Sequence, residues 1–203
     1  MAADILGAAA ALFAEHGYDN ASMRELAARA GCSPANLYHH YRGKYDIFVH
    51  LIRRTMDLHL AGLSEAVAAQ DDPVEQLRHV LVHHLLLHME RPEVRLLGQD
   101  FRPLRGEERR AFIARRDEYE RGVREIVARG RDQGLLDVED PKLAVMAAIG
   151  ACTQVDQWYR PDGDLPPAEV ARRIADFLLA GFGAPASRNP PHVGEGRVGA
   201  RSG

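Results

Sequence analysis

The chain has 203 residues, 46% of them hydrophobic, enough to bury a substantial core as one compact unit or two closely packed parts. With 26 Lys+Arg against 29 Asp+Glu it is slightly acidic, which by itself argues against nucleic acid, and no apolar run is long enough to span a bilayer. The lack of a signal-peptide pattern predicts a soluble, cytoplasmic protein, and two distant cysteines, Cys32 and Cys152, form neither a disulfide framework nor a metal motif.

The segment Ser22 to Lys44 carries the densest local signals. Ser22 with Glu25 three positions on is a capping box, and Met23, Leu26, Ala27 and Ala30 follow on one helical face. Gly31 ends that helix. Ser33 and Pro34 start another as a cap and a first-turn proline. In the second helix Leu37 and Tyr41 point inward, leaving Asn36, Tyr38, His39 and His40 outside. Two short helices around a glycine turn, the second showing an amide, a phenol and imidazoles, read as a helix-turn-helix laid on phosphates and base edges. Between Ser22 and Arg54 the cations are Arg24, Arg29, Arg42, Lys44, Arg53 and Arg54, and the anions Glu25 and Asp46, a net of six minus two. A local basic patch on a weakly acidic chain fits a confined DNA-contacting surface.

Lys44 to about Ala69 reads as one long helix, with Ile47, Phe48, Leu51, Ile52, Leu58 and Leu63 as its apolar positions. Asp72 and Pro73 cap a helix to about Met89, and Arg91-Pro92 breaks it before a short helix holding Val94, Leu96 and Leu97. A long helix follows from about Glu107 to Gln133, closed by Gly134. Asp140-Pro141 opens another, through Trp158 or Tyr159, and Pro166-Pro167 opens the last, ending near Gly183. Strand alternation is absent, so the fold is predicted all-α. Ala184 to Gly203, rich in Pro, Gly, Ser and Arg, reads as a flexible tail.

Leu143, Ala147, Gly150 and Ala151 give one late helix a face of mostly small residues, and Val170, Ile174, Phe177, Leu178 and Phe182 give the last an apolar stripe. Together they are the expected homodimer surface, a four-helix bundle across two chains. Two heads would read half-sites roughly 34–36 Å apart, so the operator should be an imperfect palindrome of double-stranded DNA.

Three clusters bear on a ligand. His79, His83, His84 and His88 share one helix as two i, i+4 pairs, but on different faces and without a Cys or carboxylate to complete a set. A pocket lining is expected there and no metal is assigned. Arginines from Arg95 to Arg116 are mostly balanced by acids, less so around Arg102 and Arg105, where guanidiniums suit phosphates. Gln157 to Gly163 is a helix end with two aromatics and a turn. No Gly-rich phosphate loop, nucleophile elbow or metal triad is present, so no catalytic residues, cofactor or enzyme activity are assigned.

Ile5 to Phe48 resembles the DNA-binding domain of the tetracycline-repressor (TetR) family. The resemblance rests on Ile5, Ala8, Ala9, Leu12, Phe13 and Gly17-Tyr18, on Ser22 to Ala27, Ala30-Gly31 and Ser33, and on Leu37 to Tyr41, Lys44 and Phe48. It implies an N-terminal three-helix helix-turn-helix head at 1–48, a helical ligand-binding and dimerisation domain at 49–183, and the tail at 184–203. Position by position it implies that Tyr38, His40 and Lys44 grip phosphates and that Ser22 and Arg24 lie near the backbone or groove. It places Ser33, Pro34, Ala35, Asn36 and His39 at the bases. The start, Met1 to Asp4, lacks the Arg- or Lys-rich arm of many relatives. The Trp158-Tyr159-Arg160-Pro161 turn and the Asp100-Phe101-Arg102 segment resemble a subgroup that controls lipid, fatty-acid or steroid breakdown and responds to acyl-CoA thioesters. The implied pocket draws on His84, His88, Phe101, Arg102, Arg105, Tyr119, Cys152 and Trp158. Repression with ligand-driven release is the resulting expectation. A drug-like aromatic or metal effector, ligand-dependent DNA binding, or a helical ligand-binding protein or enzyme that keeps the head are alternatives the residues leave open.

Overall fold

The computed structural model describes residues 2–91, 93–94 and 101–184. Expectations placed on Arg95, Leu96, Leu97 and Asp100, and on the tail beyond residue 184, lie outside the described residues. Those residues form helices and connecting turns with no strand. The helices are α1 (Ala2–Asn20), α2 (Met23–Arg29), α3 (Pro34–His40), α4 (Lys44–Ala69), α5 (Pro73–Glu90), α6 (Gly106–Asp132), α7 (Pro141–Thr153) and α8 (Pro167–Gly181). A 3₁₀ turn, Gln154–Gln157, follows α7, so the helix expected to reach Trp158 tightens and stops early. None of the described helices is long and apolar enough to cross a membrane.

The head is built by local rules. In the capping box of α2 the Ser22 hydroxyl accepts from the Glu25 N–H and donates to its carboxylate at 2.7 Å. The end of α2 is a Schellman motif: Cys32 N–H donates to the Ala27 carbonyl and Gly31 N–H to that of Ala28. It needs a left-handed residue at the turn, and Gly31 supplies it at φ 66°. Ser33 caps α3 by accepting from Asn36 N–H. Phe13, Tyr18 and Phe48 pack ring to ring at 4.9 to 6.0 Å, tying α1 to the first turns of α4.

In the larger part α5 is the central post, packed against α4, α6, α7 and α8. Its residues Leu77, Val80, Leu81 and Leu85 are buried on one face, and Gln76, His84 and His88 are buried polar residues of the same helix. Its N-terminus is closed by Asp72, whose carboxylate accepts from Val74 N–H at 2.9 Å, and Asp140 serves α7 in the same way. α4 and α5 approach closely at Gly62, where the His83 ring packs and its Nε2 lies 3.1 Å from the Leu58 carbonyl. A Cβ at Gly62 would overlap that imidazole. Gly62→Ala should therefore destabilise the protein by about 1–2 kcal/mol, overpacking outweighing the ~1 kcal/mol gain in helix propensity. A urea midpoint that rises in this variant would contradict the packing described.

Candidate functional site

The outer face of α3 carries the residues assigned to DNA. Ser33, Pro34, Ala35, Tyr38, His39 and His40 are exposed, Tyr38 at 55%, and Asn36 is half-buried. Leu37 is the buried anchor that presents this face, with Tyr41 buried at the helix end. Ser22 and Arg24 are exposed at the start of α2. The Ser22 hydroxyl donates a hydrogen bond to the Glu25 carboxylate, which also holds the Glu25 carboxyl below its ordinary value. That hydroxyl serves the cap first.

Much of the basic patch is committed inside the protein. Arg29 forms a bidentate pair with Glu15 of α1 at 2.6 and 2.7 Å, and Arg53 pairs with Glu108 of α6 at 2.7 Å. Lys44 departs furthest from its expected phosphate role. Its ammonium donates to the carbonyls of Tyr18 (2.9 Å), Asp19 (2.8 Å) and Ala21 (3.1 Å) and sits 4.7 Å from the centre of the Tyr18 ring. All three N–H donors of a lysine are thereby engaged. The side chain staples the start of α4 to the chain leaving α1, a strut that positions the head.

The second feature is a cavity of about 190 Å³ in the larger part, bounded by α4, α5, α6, α7 and Phe101. Met56, Phe101, Phe112 and Ile149 form its apolar wall. Its polar wall is His59, His84, His88, Tyr119 and Thr153, with Arg116 and Glu120 also lining it. The three imidazoles are buried. His59 Nδ1 lies 2.8 Å from the Thr55 carbonyl, an oxygen that can only accept, so this nitrogen carries the proton. The Thr153 hydroxyl donates to the Ile149 carbonyl at 2.9 Å and therefore accepts from His84 Nε2 at 3.2 Å. That leaves His84 Nδ1 to accept from the Tyr119 hydroxyl at 3.0 Å. The His84 and His88 rings stack at 4.9 Å, and His59 meets both edge-on.

A long helix joins head and cavity. Ile47 and Phe48 of α4 lie in the head core, and Met56 and His59 of the same helix line the cavity. The arrangement agrees with comparisons to known proteins. Residues 70–182 match the model of the tetracyclin repressor-like C-terminal domain, and residues 5–51 that of bacterial regulatory proteins of the tetR family. The chain belongs to the TetR family of bacterial regulatory proteins. Among relatives, the HTH-type transcriptional repressor KstR2 of Mycobacterium tuberculosis is 25% identical, over 88% of this chain and 91% of its own. The crystal structure of AibR in complex with isovaleryl coenzyme A and operator DNA superposes with a TM-score of 0.78 at 30% identity, covering 86% of this chain and 96% of that one. PfmR from Thermus thermophilus superposes with a TM-score of 0.78 at 34% identity, covering 87% and 97%. KstR2 and AcnR relatives are transcriptional regulators.

Within this TetR-family fold the expected pocket residues divide. His84, His88, Phe101 and Tyr119 line the cavity. Trp158 does not: it is 55% exposed beyond the 3₁₀ turn, while its neighbour Tyr159 turns inward. Cys152 is fully buried behind the lining, and burial pushes its thiol up to about 12, so it packs as a small apolar residue. Arg102 and Arg105 are exposed and lie off the lining, where Arg116 stands instead. Phe182, expected on the dimer stripe, is buried in its own chain's core.

His59 was missed, although Ile52, Thr55, Met56 and His59 recur at helical spacing on the buried face of α4. Burial outweighs the Thr55 hydrogen bond and, with His83 nearby, lowers His59 to about 4, and His84 also lies well below 6.5. A folded-state value below the unfolded one, about 6.5, makes the contribution complete above that pH and lost as pH falls toward 4. In metal-free protein His59 alone should remove on the order of 3 kcal/mol over that window. Urea midpoints measured across it should fall with pH, and less so in His59→Gln; a flat profile in the parent protein would refute the buried neutral imidazole.

Proposed function

We propose that this chain is a ligand-responsive transcriptional repressor that binds a palindromic operator as a homodimer and is released by a short-chain acyl-coenzyme A thioester. The observation that carries the reading is the continuity of α4, whose residues Phe48 and His59 belong to the head core and to the cavity wall. Eleven residues of helix set them about 16 Å apart. A ligand that shifts the cavity end of this lever moves the recognition helix, and the two-fold pair doubles the error in half-site spacing. The proposed division is a head at 1–48 and a ligand-binding and dimerisation part at 49–183. Regulation by binding requires no catalytic step.

An apolar cavity of about 150 Å³ takes a benzene-sized molecule, so about 190 Å³ suits a short acyl group. Arg116, which lines the cavity, offers a guanidinium to the phosphates of the coenzyme. The isovaleryl coenzyme A held by AibR supports the same class.

Dimerisation is supported by an apolar face that the single chain leaves uncovered. Leu143 (65% exposed) and Met146 (51%) project from α7, and Phe177 (78%) projects from α8. Phe177→Glu places two carboxylates in one isologous interface and should weaken the dimer at least about 30-fold, read by sedimentation. A variant that stays dimeric at nanomolar concentration would move the interface elsewhere.

The test is affinity at fixed salt for DNA from upstream of the protein's own gene and for operators selected from random DNA, with and without acyl-CoAs of graded length. A coupling of about 1–3 kcal/mol should weaken specific binding 5- to 150-fold with short acyl groups and not with long ones. Specific binding that no acyl-CoA alters discards this effector class. Failure to select any operator overturns the repressor.

A further inference from the structure

We propose that His59, His84 and His88 form a three-imidazole site for a divalent zinc-type ion in the wall of the cavity. Each ring offers a nitrogen, and these three nitrogens lie within 4.8 Å of one another. His84 and His88 are an i, i+4 pair on α5, the spacing that lets one helix give two ligands to one ion. The third donor, His59, comes from α4, across the helix contact.

The surroundings supply what an ion of this kind requires. A ligating imidazole is oriented by an acceptor at its other nitrogen. His59 has the Thr55 carbonyl at Nδ1, leaving Nε2 with the lone pair. His84 has the Thr153 hydroxyl at Nε2, leaving Nδ1. His88 Nδ1 faces the Asp156 carboxylate at 4.0 Å, and that carboxylate is 2% exposed. Asp156 beside the triad provides negative charge to offset a dication, while Glu120 in the cavity lining is paired with Arg116 at 3.5 Å. Zinc–nitrogen bonds of 2.0–2.1 Å place tetrahedral ligands about 3.4 Å apart, so binding closes separations of up to 4.8 Å by as much as about 1.4 Å. In closing, His84 Nδ1 exchanges the Tyr119 hydroxyl for the ion. Three protein ligands leave a fourth position toward the cavity, for water or for an oxygen of whatever the cavity holds.

The site goes beyond the repressor reading and is tested without DNA or thioester. Full-length protein freed of metal by chelator is titrated with Co²⁺ alone, read by visible absorption, and Zn²⁺ is then added to displace it. The expected result is one ion per chain with the spectrum of four-coordinate Co²⁺. Affinity should drop more than about 100-fold in His59→Gln and in His88→Gln, as befits loss of a first ligand. His79→Gln, on the same helix outside the triad, should bind as the parent does. Should a triad variant fail to fold, X-ray absorption of the zinc-loaded parent decides: three imidazoles and one light atom are expected. Sulfur ligation, binding that survives loss of His59, or no binding at millimolar ion would overturn the site and leave the triad a neutral polar lining.

Discussion

Lys44→Ala is expected to lower stability by about 2–3 kcal/mol, because charge-assisted hydrogen bonds contribute roughly 1.5–3 kcal/mol each and are not additive. For a chain of this size that is a fall in Tm of roughly 5–10 °C. The three carbonyls it caps, on Tyr18, Asp19 and Ala21, would be left at the end of α1 without their donor. DNA affinity should fall as well, since the head loses the strut that fixes α1 against α4. The salt dependence discriminates between strut and phosphate clamp. A lost phosphate contact removes about 0.9 from the slope of log affinity against log salt, whereas a lost strut leaves the slope intact. A variant of unchanged Tm with a shallower slope would return Lys44 to the phosphate backbone.

The second large effect belongs to the exposed face of α3. Tyr38→Ala should weaken binding to all DNA sequences alike, and Asn36→Ala or His39→Ala should relax preference at particular base pairs. Each base contact contributes about 1–3 kcal/mol if bidentate, and a symmetric dimer loses it twice. Tyr38 and His39 are exposed and Leu37 carries the packing, so the Tyr38 and His39 variants should melt as the parent does. Competition binding against single-base operator variants at one salt concentration separates the patterns. Identical uniform losses from all three substitutions would mean that α3 is not the reading helix.

The head was legible because its signals are short-range. Ser22 with Glu25, Gly31, and Ser33 with Pro34 act within four residues of themselves, and each forms the cap or turn its residue type requires. The long helices were legible for the same reason, since Asp72-Pro73 and Asp140-Pro141 mark starts whatever surrounds them. The late helices were read with one misassignment. Phe177 and Phe182 are five residues apart on one apolar stripe, and only packing against α5 and the turn before α7 determines that Phe182 goes inside and Phe177 outside.

Charge and chemistry were less legible because they depend on partners far along the chain. A count of cations cannot reveal that Arg29 meets Glu15, that Arg53 meets Glu108, or that Lys44 reaches back more than twenty residues to three carbonyls. The histidine row on α5 was visible, but its meaning was not. His79 and His83 face elsewhere, and the ring that completes the group with His84 and His88 is His59, 25 residues before His84 on another helix. Periodicity and caps, being properties of the local chain, gave the all-α fold and the helix-turn-helix head. Which side chains share a buried space is a property of helices brought together, so the cavity and its three imidazoles emerged only once α4, α5, α6 and α7 were packed against one another, and the strut at Lys44 only once α4 met the end of α1.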